Sequence, residues 1–205
     1  KDYNGAIGKY NLALGEAEKR FVKTEVIDKD FKTLAKFQIA ICYSKLAEDG
    51  DVAKYDEALG RIEEIYPTAT VRKHQEGIVY LWGHILFKQE KYEESEPKFR
   101  ELIEKFPNST SVENSWYAIG RLNYQLQKYE ESRKAYKAVL DNFPNSEFKD
   151  DAQHLIAQSY LLEENYDQAF AEFDRLNTEE YKNYPDLQAE ASYKAGYCLK
   201  QLGRD

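Results

Sequence analysis

The chain has 205 residues, 42% hydrophobic and 14% aromatic, which is ample for a buried core and excludes a disordered polymer. Its 37 acidic residues outnumber 29 basic ones, giving a formal net charge of -8; a nucleic-acid partner, whose phosphates need clustered Lys and Arg, is not expected. No run of 18 apolar residues long enough to span a membrane occurs, and the first residues show no signal-peptide pattern.

Residues 1–27 open with KDYNGAIGKYNLALGEAEKRF, in which Tyr3, Ala6 and Tyr10 have the spacing of Tyr129, Ser132 and Tyr136. This predicts the second helix of a pair whose first helix is cut away. About nine extra residues, in the region FVKTEVIDKD, are expected to lengthen that helix or its connection. Residues 32–70 then pair FKTLAKFQIAICYSKLA with KYDEALGRIEEIYP, joined through AEDGDV, where Asp49, Gly50 and Asp51 predict a turn. The ligand spacing of an EF-hand is absent from that insertion.

Three regular units follow, at 74–109, 111–146 and 148–185. Gly120, Tyr129, Tyr136 and Pro144 recur 37 residues earlier as Gly83, Tyr92, Phe99 and Pro107, and three of them recur 37 later as Ala157, Tyr166 and Phe173. A fixed period of this size means stacked supersecondary units. The last stretch, 187–205, reads as the first helix of a further, cut unit. Its Tyr193, Ala195 and Leu199 are expected to lack a covering helix on one side, which makes the chain read as an excerpt of a longer solenoid.

Two positions are small in every unit. The first helix carries Ala40, Gly83, Gly120, Ala157 and Gly196; the second carries Ala6, Ala58, Ser95, Ser132 and Ala169. Glycine inside a helix costs about 1 kcal/mol against alanine, so its recurrence predicts close backbone approach. Large residues surround the contact: Tyr3, Tyr55, Tyr92, Tyr129 and Tyr166 open the second helices, and Tyr10, Ile62, Phe99, Tyr136 and Phe173 follow seven residues on. Both sets are expected in the core. Pro107 and Pro144 end second helices. Cys42 and Cys198 occupy equivalent places in units far apart along the stack, which predicts two separate, buried thiols rather than a disulfide.

Trp116, Gly120, Tyr129, Ser132, Tyr136 and Pro144 resemble the tetratricopeptide repeat, whose signature runs Trp, Leu, Gly, Tyr, Ala, Phe, Pro. The resemblance covers nearly the whole chain and implies an all-α, right-handed solenoid of tandem helix-turn-helix units, read here as one domain over 1–205. The period of 37 instead of 34, and Ser95 and Ser132 in place of alanine, depart from the common pattern. Units ending in Phe-Pro-Asn-Ser are similar to those of bacterial cell-envelope proteins, such as the lipoprotein of the outer-membrane β-barrel assembly machinery and the Tol-Pal coordinator. That likeness implies the bacterial periplasm or outer-membrane periphery.

The resemblance also implies that residues three before, one after and four after the small landmark line an inner face. Carried over, these include Phe37, Tyr80, Tyr117, His154 and Tyr193, then His84, Arg121 and Gln158, then Phe87 and Tyr124. Aromatic rings with polar tips suit a groove for a peptide, although such rings also pack between helices. Phosphate loops, nucleophile elbows and paired-histidine metal motifs are missing, so neither catalysis nor a cofactor is expected. His84 and His154 belong to units two apart and are not expected to share a metal. The Glu pairs 93–94 and 130–131 match helix N-termini. The reading is a non-enzymatic scaffold for a protein or peptide partner. A regulatory module sensing a peptide or small molecule for an attached effector, and self-association through the solenoid ends, stand beside it.

Overall fold

A computed structural model describes residues 1–21 and 29–204. Most of the region expected to carry the nine extra residues lies outside the described residues. Among the described residues there are ten α-helices and two short 3-10 turns, and no strand. The all-α repeat architecture is therefore observed.

The chain divides into two compact units, Lys1–Ser111 and Val112–Asp205. The first contains α1 (Tyr3–Phe21), α2 (Lys29–Glu48), α3 (Lys54–Ile65), α4 (Arg72–Lys88) and α5 (Tyr92–Lys105). The second contains α6 (Val112–Gln125), α7 (Tyr129–Asn142), α8 (Lys149–Leu162), α9 (Tyr166–Leu176) and α10 (Pro185–Gln201). The pairs α2–α3, α4–α5, α6–α7, α8–α9 and α9–α10 pack most closely, and α1–α2 and α7–α8 continue the stacking. None of the described helices is long and apolar enough to cross a membrane.

Local chemistry sets the helix ends. Tyr92, Tyr129 and Tyr166 are the first residues of α5, α7 and α9. The helices α5 and α7 stop two residues before Pro107 and Pro144, because a proline pushes its predecessor out of the helical region. Within the regular pairs the turn has one form. Glu90, Gln127 and Glu164 take φ values of 60°, 58° and 57°, and the next residue's N–H reaches back to the first helix: Lys91 to the Leu86 carbonyl at 2.9 Å, Lys128 to Asn123 at 2.8 Å and Asn165 to Tyr160 at 2.9 Å. This is a left-handed C-cap that satisfies orphan carbonyls, built here without glycine. In the longer α2–α3 connection the turn falls at Asp49 and Gly50, with Gly50 at φ 121°.

The small landmarks sit where helices cross. Ala40, Ala58, Ser95, Ser132, Ala157 and Ala169 are fully buried. A Cβ added at Gly83 would lie 3.1 Å from the Phe99 ring, and one at Gly120 only 2.5 Å from the Tyr136 ring. Gly196 departs from this expectation. Nothing lies within 4 Å of its added Cβ. Ala195 also departs, being buried in the α9–α10 core rather than left open, whereas Tyr193 is 78% exposed. Of the two large sets, Tyr55, Ile62, Phe99, Tyr136 and Phe173 are core, but Tyr3, Tyr10, Tyr92, Tyr129 and Tyr166 are only half-buried.

The two serines do more than stay small. Ser95 Oγ donates to the Gly83 carbonyl at 2.8 Å, and Ser132 Oγ donates to the Gly120 carbonyl at 2.8 Å. Each bond ties a second helix to the glycine of its first helix in a fully buried place, where a polar group must be satisfied. Cys42 and Cys198 are free and buried, and burial pushes both thiols above the usual range.

Candidate functional site

Within the second unit, α6, α7 and α8 form an open pocket of about 350 Å³ lined by Tyr117, Arg121, Tyr124, Gln125, Tyr136, Asp151 and Leu155. Tyr117, Arg121 and Tyr124 are spaced four and three apart, so they share one face of α6. That face converges on the Tyr136 ring from α7 and the first turn of α8.

Tyr117 is held on three sides. Its ring stacks on Phe148 with centroids 4.3 Å apart and planes 10° apart, and it tilts against Tyr136 at 5.8 Å. Its hydroxyl donates to Asp151 Oδ2. Burial, and then that hydrogen bond, push its phenol far above the usual range, so the proton stays on Tyr117. Tyr124 meets Tyr129 edge-on at 5.6 Å, and burial raises its phenol as well. Arg121 is exposed at the rim.

Tyr136 is fully buried, and its hydroxyl has no hydrogen-bond partner among the described residues. Burial pushes its phenol strongly up; Tyr117, Asp151, Arg121 and Tyr124 are the groups that act on it electrostatically. A buried hydroxyl left unpaired costs about 1 to 3 kcal/mol. It stands out against its equivalents Phe99 and Phe173, which carry no hydroxyl at all.

The other sequence-predicted residues fall into separate groups. In the first unit Tyr80 stacks on His84 at 6.1 Å and tilts on Phe99 at 6.0 Å. His84 Nε2 lies 3.2 Å from Glu48 Oε1, and burial holds its imidazole below the usual range despite that carboxylate. Phe87 packs on Tyr92 at 5.5 Å. Phe37 packs over Gly77, whose added Cβ would lie 2.8 Å from its ring; this α2–α4 contact makes Phe37 a packing residue on that side. In the second unit Lys194 Nζ bridges Gln158 Oε1 at 2.5 Å, His154 Nε2 at 3.3 Å and Glu190 Oε1 at 2.6 Å. Burial, then Lys194, hold the His154 imidazole below the usual range. Tyr193 is not drawn into any of these groups and points to solvent.

Asp151, Tyr136 and Leu155 were not among the candidates. Asp151 sits in the first turn of α8, where a carboxylate is ordinarily matched to the helix dipole, and Tyr136 occupies a core position. A tyrosine at a position that holds phenylalanine in the units on either side was the available signal. Among the described residues no group of three or more His, Cys, Asp or Glu side chains could hold a metal.

The model of the tetratricopeptide repeat family matches residues 80–147 and 117–185, together more than half of the chain. No curated protein matches in sequence. Solved structures do share the fold. MamA from strain AMB-1 aligns at 13% identity over 85% of each chain with a TM-score of 0.62. A tetratricopeptide repeat protein from Parabacteroides merdae aligns at 15% identity over 98% of this chain and 74% of its own, with a TM-score of 0.61. YrrB, described as a TPR protein with an unusual peptide-binding site, aligns at 16% identity over 92% and 84%, with a TM-score of 0.57.

Proposed function

Because this chain belongs to the tetratricopeptide repeat family, we propose that it is a non-enzymatic interaction scaffold that captures a protein segment on the first-helix face of its repeats. The carrying observation is the convergence of Tyr117, Arg121 and Tyr124 on one cavity within the second unit. Phenol rings offer contact area at low rotamer cost, and the guanidinium and hydroxyls fix register. Family members are generally non-catalytic, and the peptide-binding site named for YrrB supports a peptide as the kind of partner. His84 and Tyr80 in the first unit extend the same reading, as do Gln158 and His154 in the second. The Phe-Pro-Asn-Ser ending and the period of 37 favour a place in bacterial envelope assembly.

A photo-crosslinking residue placed at Arg121 should label the partner, while one at Lys137, exposed on α7, should not. The double variant Tyr117→Ala, Arg121→Ala should lower partner capture at least about tenfold, the loss of roughly 1.4 kcal/mol of binding, with helicity retained. Labelling from Lys137 and not from Arg121 would move the interface to the second helices and overturn the proposal.

A further inference from the structure

The ring of Tyr136 is accounted for by packing, but its hydroxyl is not. Phe99 fills the equivalent place over Gly83, and Phe173 fills it in α9; both are fully buried without an oxygen. The hydroxyl of Tyr136 is therefore an addition that packing does not ask for, placed in the protein interior with no partner. It belongs to a residue that lines a cavity, and the cavity's other polar groups come from two further helices.

We infer that this cavity is a subsite for an uncharged side-chain carboxamide, an Asn or Gln of the captured segment, whose oxygen accepts from the Tyr136 hydroxyl and whose NH2 donates to Asp151. The inference rests on the scaffold reading above and names what its central pocket selects. Charge decides against the ionic alternatives. The lining holds one cation, Arg121, and one anion, Asp151, so an ionic side chain that pairs with one is repelled by the other. A carboxamide carries an acceptor and two donors without net charge, and it matches a lining that presents both polarities. Asp151 has the capacity, because Tyr117 occupies its Oδ2 and leaves Oδ1 for a second donor. Tyr117 retains its proton, as its strongly raised phenol requires, so it adds no charge. Leu155 and the tyrosine rings cover the apolar stem. The Tyr136 hydroxyl is sealed from solvent, so reaching it requires the lining side chains to move, which favours a slender side chain over a main-chain amide.

The polar set is confined to one repeat. At the positions of Tyr117, Arg121, Tyr124 and Tyr136, the preceding unit has Tyr80, His84, Phe87 and Phe99, and the following one has His154, Gln158, Leu161 and Phe173. Only the 111–146 unit of these three presents a buried phenol to its groove.

The test uses the full chain carrying ring-labelled tyrosine, followed by NMR during titration with four blocked single residues: the N-acetyl methylamides of glutamine, glutamate, lysine and alanine. The glutamine probe should shift the Tyr117 and Tyr136 ring signals saturably, at a concentration at least about tenfold below the other three. In Tyr136→Phe that preference should vanish, while Tyr117 keeps its native signals and the melting temperature is equal to or above that of the wild type. Equal binding of the glutamate or lysine probe overturns the carboxamide assignment, and equal binding of the alanine probe assigns the contact to main chain instead. A lower melting temperature in Tyr136→Phe with glutamine binding unchanged makes the hydroxyl structural and likewise overturns it. The photo-crosslinking result at Arg121 is independent of these outcomes, so failure of the subsite and failure of the scaffold reading are told apart.

Discussion

The α4–α5 crossing in the first unit and the α6–α7 crossing in the second are assembled from the same parts. In each a glycine lies under an aromatic ring, and a serine hydroxyl of the second helix donates to that glycine's carbonyl at 2.8 Å. The ring is Phe99 in one and Tyr136 in the other, and the neighbours change with it: His84 and Phe87 against Arg121 and Tyr124. In the first unit His84 is tied to Glu48, and the rings pack on one another. In the second the same face lines a pocket against Tyr136, whose hydroxyl is buried without a partner among the described residues. A repeat can thus keep its packing scheme and still change the chemistry of its groove, because most of the residues that line the groove occupy different positions on the helix from those that bring the helices together.

The comparison is sharpest at the glycines. Gly120→Ala should destabilise by about 3 kcal/mol, since its Cβ would lie 2.5 to 2.8 Å from three atoms of a ring held in the core. Gly83→Ala should cost about 1 kcal/mol or less, because contacts of 3.1 to 3.3 Å yield to small shifts and the helix gains about 1 kcal/mol of propensity. Urea denaturation measures both, and equal losses would show that the two crossings are equally tight.

Ser95→Ala and Ser132→Ala should each cost about 1 kcal/mol, the worth of a buried hydrogen bond. Two null results in the same denaturation assay would reduce these serines to spacers.

The pH response should distinguish the two crossings next. His84 carries an imidazole where the second crossing has Arg121. With its folded pKa held below the ordinary value, His84 takes up a proton more readily in the unfolded chain, so stability falls as pH drops below the ordinary imidazole range. Glu48, Lys45 and Lys88 are the charges around it. His154, beside Lys194, Glu190 and Asp151, acts in the same direction. Melting temperature measured from pH 7.5 to 5.5 should decline less in His84→Gln than in the wild type, by the equivalent of under about 1 kcal/mol; an unchanged slope would place the pH response elsewhere.

The smallest effect belongs to the turns. Gln127→Gly and Glu90→Gly should each raise stability by about 0.5 kcal/mol, because φ values of 58° and 60° suit glycine. Calorimetry at neutral pH suffices to see the sign.

Three residues of the pocket were named beforehand. The resemblance to the repeat family put Tyr117, Arg121 and Tyr124 together on an inner face, and the three line one pocket. Asp151 escaped because a carboxylate in a helix's first turn already has an electrostatic reason to be there. Tyr136 escaped because a core aromatic already has a packing reason. The serine bonds to Gly83 and Gly120 escaped because a short side chain is sufficiently explained by lack of room. In each case a residue had one visible role, and that concealed the second.

From the order of amino acids alone came the helix pairs, the small residue at each crossing and the buried rings over Gly83 and Gly120, since these depend on periodicities that a single chain displays along its own length. Which hydroxyl finds a partner was decided only in three dimensions. Tyr117 and Asp151 are 34 residues apart on different helices, and their meeting depends on the rotation and axial offset of α8 against α6. Those are set jointly by many packed side chains, none of which carries the information by itself.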